Sequence, residues 1–256
     1  MRQRTVSDIR NELAQLFCSG QFTSVNREAS MTSLVGKRTV ELVGASFVAS
    51  EDALFGTVDW DYVKREERWY DTCSRNVFDI PGGPPKIWKA ISSKKDGTVN
   101  SNYGWCVYSA ENGGQYYKVL EELRKNPESR RAVIIYTRPS MWEEYDLDGR
   151  SDFMCTNVVQ YLVRGGSLHA CVQMRSNDAV FGYKNDRAWQ HEVLKRLAKD
   201  LDLPVGDLHW QVGSLHVYER HFYMVDHFWR TGEHSITKAR YRELYPSSPY
   251  CQSTEA

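Results

Sequence analysis

Apolar residues recur at helical spacing in some stretches of the chain and crowd into β-prone runs in others. Ser7 to Phe17 carries Ile9, Leu13 and Leu16, the spacing of a short amphipathic helix with Ser7 as its N-cap. Trp60 to Tyr70 predicts a second helix, with Tyr62, Arg65, Glu66 and Trp69 within one broad face. Pro84-Pro85-Lys86-Ile87-Trp88 opens a third, because proline is tolerated in a first helical turn. Tyr116 to Leu123 is helical, and after Asn185-Asp186 the residues Trp189, Val193, Leu194, Leu197 and Leu201 form one core-facing stripe. Strands are expected at Thr39 to Val48, with Gly44 a bulge or close-approach point, at Ala132 to Tyr136 and at Leu208 to Val212. Asn100 to Trp105 reads as a polar and aromatic loop, and Gly213 to His221 as the opening of an aromatic-rich helix through Trp229. Interleaved strands and helices indicate a mixed α and β domain.

One pair of runs is more specific. Val158 to Val163 and Leu168 to Met174 are β-prone and flank Gly165-Gly166, a dipeptide suited to the positive φ angles of a tight hairpin turn. With the glycines at the centre, the register runs out to place Cys155 opposite Ser176 and beside Arg175. A thiol, a guanidinium and a hydroxyl are thereby gathered at the open end of one hairpin.

Composition narrows the classes of function. The chain has 256 residues, 41% hydrophobic, and no Pro/Ser-rich linker or repeat in its middle, so residues 1–256 are expected as a single domain with a mobile tail after about 246. Net charge is +0 with equal acidic and basic counts, which argues against a general affinity for nucleic acid or membrane surface. No apolar stretch approaches the roughly 20 residues of a membrane span, and Met1-Arg2-Gln3-Arg4-Thr5 lacks the apolar core of a signal peptide. Six scattered cysteines without Cys-x-x-Cys spacing indicate reduced thiols in a cytoplasm, with neither a disulfide framework nor a zinc site.

The candidate chemistry must be weighed against ordinary roles. A cysteine in a strand is usually a small buried hydrophobe. Cys155 departs from that because Thr156 and Asn157 follow it and Arg175 is expected alongside, and a nearby cation favours the thiolate. Arg130-Arg131 would by default be a solvated pair, yet with Arg175 they form a set able to clamp a phosphate. By default Asp186 caps the following helix, Asp178 serves a turn, and Glu66 is a solvated carboxylate.

The longer motifs resolve these alternatives. Ser151-Asp152-Phe153-Met154-Cys155-Thr156-Asn157, Tyr136-Thr137-Arg138-Pro139-Ser140-Met141, Met174-Arg175-Ser176-Asn177-Asp178, Gly182-Tyr183-Lys184-Asn185-Asp186 and Val212-Gly213-Ser214-Leu215-His216-Val217-Tyr218 together resemble the thymidylate synthase superfamily. The resemblance runs from about Leu42 to Trp229 and is closer to the deoxycytidylate-hydroxymethylating branch known from T-even bacteriophages. It implies a homodimer with a central mixed β-sheet and packed helices, using 5,10-methylenetetrahydrofolate as co-substrate and no metal. By motif position Cys155 matches the nucleophile that adds to C6 of the pyrimidine. Arg175 and Ser176 match phosphate ligands, and Arg130 and Arg131 match a pair donated across the dimer. His216 and Tyr218 match residues holding the sugar hydroxyl, and Glu66 matches the carboxylate that manages proton and water steps. Trp88, Tyr103 and Asp178 match positions around the folate and the reacting carbon.

Three departures carry information. Thymidylate synthases have Pro-Cys-His at the nucleophile, whereas Met154-Cys155-Thr156 stands here, again resembling the hydroxymethylating branch. Asp186 occupies a place where thymidylate synthases carry asparagine. A carboxyl group suits cytosine, accepting from the exocyclic amine and, when protonated, donating to N3. The Asp-Arg-Thr-Gly phosphate loop of the family is not legible between Asn26 and Thr39. Arg27, Lys37 and Arg38 are the candidates to replace its arginine, Arg27 the favoured one. The resemblance therefore implies hydroxymethylation of dCMP at C5, in a host cytoplasm if the source is a phage. CMP hydroxymethylation, as in nucleoside-antibiotic pathways, is the alternative within the same chemistry. Thymidylate synthesis and RNA binding are further readings, the latter opposed by the neutral charge.

Overall fold

The computed structural model describes residues 3–24 and 38–251. Among them the elements run α1 (Val6–Cys18), β1 (Thr23–Ser24), β2 (Arg38–Val48), α2 (Trp60–Asp71), α3 (Lys86–Ile91), α4 (Tyr103–Tyr108), α5 (Gln115–Lys125), β3 (Val133–Ile135), α6 (Met141–Glu144), β4 (Thr156–Arg164), β5 (Ser167–Asp178), α7 (Gly182–Asp200), β6 (Val205–Tyr218), α8 (Phe222–Thr231) and α9 (Lys238–Leu244). The strands form a six-stranded sheet in the order β1-β2-β6-β5-β4-β3, and the fold is mixed α and β as expected.

Local sequence explains most boundaries and corrects several expectations. Thr5, rather than Ser7, caps α1: its hydroxyl accepts the Asp8 N–H while the Asp8 carboxylate accepts the Thr5 N–H at 2.8 Å, a complete capping box. Asn102 turns the expected loop into α4 by accepting the Trp105 N–H at 2.7 Å. Gly104 in that first turn is obligatory, because a Cβ there would lie 1.8 Å from the Tyr70 carbonyl oxygen. Gly44 sits at φ +70° with open space around it, so it is not a close-approach point. Gly213 does not end a strand: β6 continues through it to Tyr218, and the helix expected from that point begins only at Phe222.

The hairpin is the best-anticipated element. Gly165 and Gly166 stand at φ 58° and 79°, and Arg164 pairs with Ser167 across them. The expected register holds as far as Val158 opposite Gln173, then a bulge at Asn157 brings Thr156 opposite Met174. Cys155 is therefore paired with Arg175, whose N–H donates to its carbonyl at 2.9 Å, and not with Ser176. The bulge has a cause just past β3: the Asn157 carbonyl accepts the N–H groups of both Tyr136 and Thr137, at 2.9 and 3.3 Å.

The chain divides into two compact units, one of Met1–Val58, Ser176–Arg187 and Val212–Ala256, the other of Asp59–Arg175 and Ala188–Gln211. In the first, α1 packs on β2 and α8, and Phe17 meets Phe222 edge-on at 5.3 Å. Of the segment after about 246, Pro249–Cys251 make a turn of 3₁₀ helix with the Tyr250 ring 5.0 Å from Phe17, and residues 252–256 lie outside the described residues. In the second unit α2 packs on α4, α4 on α5 and α5 on β3. Trp189, Val193, Leu194 and Leu197 are buried there as the stripe on α7 predicts, Trp189 lying 4.8 Å from Tyr70.

Candidate active site

In the second unit the bulged end of the hairpin builds the surroundings of Cys155. Cys155 is half-buried, and the Arg175 side chain wraps its backbone. Arg175 Nε donates to the Met154 carbonyl at 2.9 Å and Nη2 to the Phe153 carbonyl at 2.6 Å. The same Nη2 stands 3.7 Å from Cys155 Sγ, and the guanidinium lies 4.9 Å over the Phe153 ring. Positive charge fixed beside the sulfur stabilises a thiolate, the form that attacks carbon. The next residue, Thr156, is fully buried and donates its hydroxyl to Tyr103 at 3.0 Å, which ties Tyr103 to the cysteine segment. Asp152 anchors that segment from the other side, its carboxylate accepting the N–H groups of Asn100 and Ser101 at 2.6 and 2.8 Å. Burial pushes the Asp152 carboxyl up, and these hydrogen bonds oppose it.

Glu66 occupies a second polar cluster of this unit. It is 5% exposed on α2, and Tyr62, one turn earlier, donates its hydroxyl to Oε1 at 2.6 Å. The Trp88 indole N–H from α3 is shared between Tyr62 at 2.8 Å and Glu66 Oε1 at 3.0 Å. Burial raises the Glu66 carboxyl above the ordinary carboxylate range, and the Tyr62 and Trp88 donors pull it partly back. The Tyr62 hydroxyl is itself raised strongly, by burial and then by the neighbouring Glu66 charge. Perturbation of this kind suits a group that takes up and releases a proton. Glu66 is thus not the solvated carboxylate that helix statistics suggest. Arg130 and Arg131 are exposed at the approach to β3: Arg131 is held by Glu122 at 2.9 Å, and the Arg130 carbonyl accepts from Gln160 at 2.8 Å.

The first unit holds the other expected residues. Asp186 does not cap α7, which begins four residues earlier at Gly182. Its Oδ2 instead accepts a hydrogen bond from the Asn177 amide at 2.7 Å. Gly182 makes the approach possible: a Cβ there would stand 3.0 Å from Asn177 Nδ2 and 3.5 Å from Asp186 Oδ2. Asp178 does serve a turn, accepting the Val180 N–H at 2.9 Å. His216 and Tyr218 are both buried, with rings 4.7 Å apart and edge-on, and Ser214 Oγ lies 3.2 Å from His216 Nδ1. Ser176 is half-buried at the end of β5. His221, in contact with the Phe181 ring at 4.9 Å, is lowered to about 4, chiefly by burial. Arg27 and Lys37 lie outside the described residues, and Arg38 is committed to an ion pair with Glu219 at 2.9 Å.

Sequence reasoning missed Tyr62, Asn177 and Phe153. The four-residue spacing from Glu66 was a usable signal for Tyr62. Nothing in the pattern marked Asn177, whose partner depends on where α7 starts.

The structure carries no candidate membrane-spanning helix among the described residues. The family model described as thymidylate synthase matches residues 54–240. Deoxycytidylate 5-hydroxymethyltransferase of Enterobacteria phage T4 is 53% identical over 217 residues, 82% of this chain and 88% of that protein. The protein of the same name from phage T6 is 53% identical over 81% of this chain and 87% of its own length. A thymidylate synthase of Bacillus subtilis subsp. natto is 30% identical over 64% of this chain and 59% of its own. Among solved structures, thermostable thymidylate synthase A from Bacillus subtilis superposes with a TM-score of 0.61 at 25% identity, covering 75% of this chain and 71% of that one.

Proposed function

The chain belongs to the thymidylate synthase family, and from that membership we propose that it hydroxymethylates deoxycytidylate at C5. The name shared by its phage relatives supports this reaction, and the Arg175 side chain, holding the carbonyls of Met154 and Phe153 with its guanidinium beside the Cys155 sulfur, is the observation that carries the chemistry. C5 of a pyrimidine is too weak a nucleophile to capture a one-carbon unit unaided. Addition of the Cys155 thiolate to C6 makes C5 enamine-like and divides one difficult step into easier ones. Arg175 holds the thiolate charge, and with Ser176 it serves the nucleotide phosphate. Arg130 and Arg131 reach the phosphate of the opposite subunit in a homodimer, which accords with their exposure here. His216 and Tyr218 hold the sugar hydroxyl.

Methylenetetrahydrofolate, when bound, supplies the one-carbon unit. The residues present fit a flat, hydrogen-bonding heterocycle: the half-buried Trp88 is fixed by its indole N–H, and Tyr103 is fixed by Thr156. Asp178 is the third residue assigned to it. Glu66, raised by burial and contacted by Tyr62 and Trp88, handles the proton and positions the water that completes the hydroxymethyl group. Asp186 reads the base. Asn177 donates to Asp186 Oδ2, and we assign the Asp186 carboxyl to accept from the cytosine exocyclic amine and, when protonated, to donate to N3. We place all of this in one catalytic domain spanning 1–256, working in a cytoplasm, where six cysteines outside disulfides are at home.

The test is product formation by the purified protein with methylenetetrahydrofolate and dCMP, CMP or dUMP in turn. The proposal expects 5-hydroxymethyl-dCMP as the main product. A preference for CMP would move the assignment to the ribonucleotide, and dTMP from dUMP would restore thymidylate synthesis.

A further inference from the structure

A cluster away from Cys155 and Glu66 is assembled by the alternation of two strands. In β5, Leu168 and Ala170 are buried and His169 points to the opposite face. In β6, a neighbour of β5 in the sheet, Leu208 and Trp210 are buried while Asp207 and His209 take the outer face. One nitrogen or oxygen from each of His169, Asp207 and His209 lies within 4.8 Å of the others. Residues 169 and 207 are far apart in sequence, so no short spacing announces the group.

The geometry fixes the tautomer of His169 and occupies its one lone pair with a backbone donor that an ion would have to replace. The Asp207 backbone N–H donates to its Nδ1 at 2.9 Å, which assigns the lone pair to Nδ1 and the proton to Nε2. Nε2 in turn lies 3.2 Å from the Arg164 carbonyl and donates to it. A neutral imidazole anchored through its far N–H to a carbonyl is the usual outer arrangement of a metal-binding histidine. Asp207 Oδ2 lies 3.8 Å from Nδ1, and its side chain is 59% exposed and able to swing. Gly206 is needed for this approach, since a Cβ there would stand 2.7 Å from the His169 ring. The nearby Arg164 guanidinium is turned to the carbonyls of Val163 and Glu128.

We infer that His169, Asp207 and His209 bind a divalent transition-metal ion, with zinc as the reference case. Two neutral imidazoles and one carboxylate suit zinc, nickel, cobalt or copper and suit calcium or magnesium poorly. The ion exchanges the Asp207 N–H for a bond to Nδ1 and clips β5 to β6. It takes no part in the reaction proposed above, and the inference stands independently of that proposal.

Metal-stripped full-length protein titrated with zinc chloride by calorimetry is the test, with Cys155→Ala as a control for thiolate binding. The expected result is one zinc per chain, retained in Cys155→Ala and lost in the His169→Gln/His209→Gln double variant. A rise in melting temperature with zinc should vanish in the same double variant. Asp207→Asn, an exposed change that leaves both strands intact, should weaken uptake by about tenfold. No uptake at about 0.1 mM zinc, or equal uptake by the parent and the double variant, overturns the inference. So does zinc binding that Cys155→Ala abolishes.

Discussion

The bulged end of the hairpin and the start of α7 solve opposite problems. Beside Cys155, Arg175 works mainly through backbone: it binds the carbonyls of Met154 and Phe153, and its own N–H binds that of Cys155. Asp152 holds two further backbone N–H groups in the same unit. Such contacts are indifferent to neighbouring side chains, so they fix a nucleophile without specifying what it attacks. At the start of α7 the decisive contact joins two side chains, Asn177 to Asp186, in room left by Gly182. A single substitution there changes the donors and acceptors offered to a base. The proposed reaction therefore divides between a backbone-held region assigned to the chemistry and a side-chain pair assigned to the choice of substrate.

The separation is broken most severely at the sulfur. Cys155→Ala should lower turnover on the order of 10⁴-fold or more while dCMP binding, measured by calorimetry, persists. Persisting turnover would mean that another group attacks C6. Glu66→Gln should cost about 10²–10³ in kcat, with KM for dCMP changing far less, because the residue manages protons rather than grips the nucleotide. Normal turnover by this variant removes Glu66 from the mechanism. Asn177→Ala should act on the other region, lowering kcat/KM for the cytosine nucleotide by about tenfold and leaving nucleotide-free thiol reactivity unchanged. Equal loss on cytosine and uracil nucleotides would assign Asn177 a structural role.

The smallest effect concerns stability. Glu66 has a folded-state affinity for protons raised by burial, so its contribution is fully present below the unfolded carboxylate value of roughly 4.3 and is lost as pH rises. Glu66→Gln should melt with the parent in acid and above it at neutral pH, by roughly 2–4 °C for each 1 kcal/mol recovered. A difference in melting temperature that does not change with pH would contradict burial as the cause.

How far the sequence reveals these regions follows the same division. The hairpin, its glycine turn and the neighbours of Cys155 were legible because alternation and two glycines set a register. The last step of that register was not, since the bulge at Asn157 answers to N–H groups of Tyr136 and Thr137 in the segment just past β3. The α4 cap was a local signal in Asn102 that the crowd of polar residues obscured. Gly213 misled because glycine breaks strands in isolation, while Leu215 and Val217 carry β6 onward. Asp186 was assigned as the reader of the base through resemblance, but its partner Asn177 required knowing that α7 begins at Gly182. The His169, Asp207 and His209 group depends wholly on strand neighbours and left no trace in spacing.

Competition between dCMP and dUMP in one reaction tests the separation of chemistry from choice most directly, comparing the parent with Asp186→Asn. The account predicts that the variant keeps nucleophilic activity, read as release of the C5 hydrogen, while preference moves from dCMP toward dUMP by about 10²-fold or more. Unchanged discrimination between the two bases, with release intact, would contradict it.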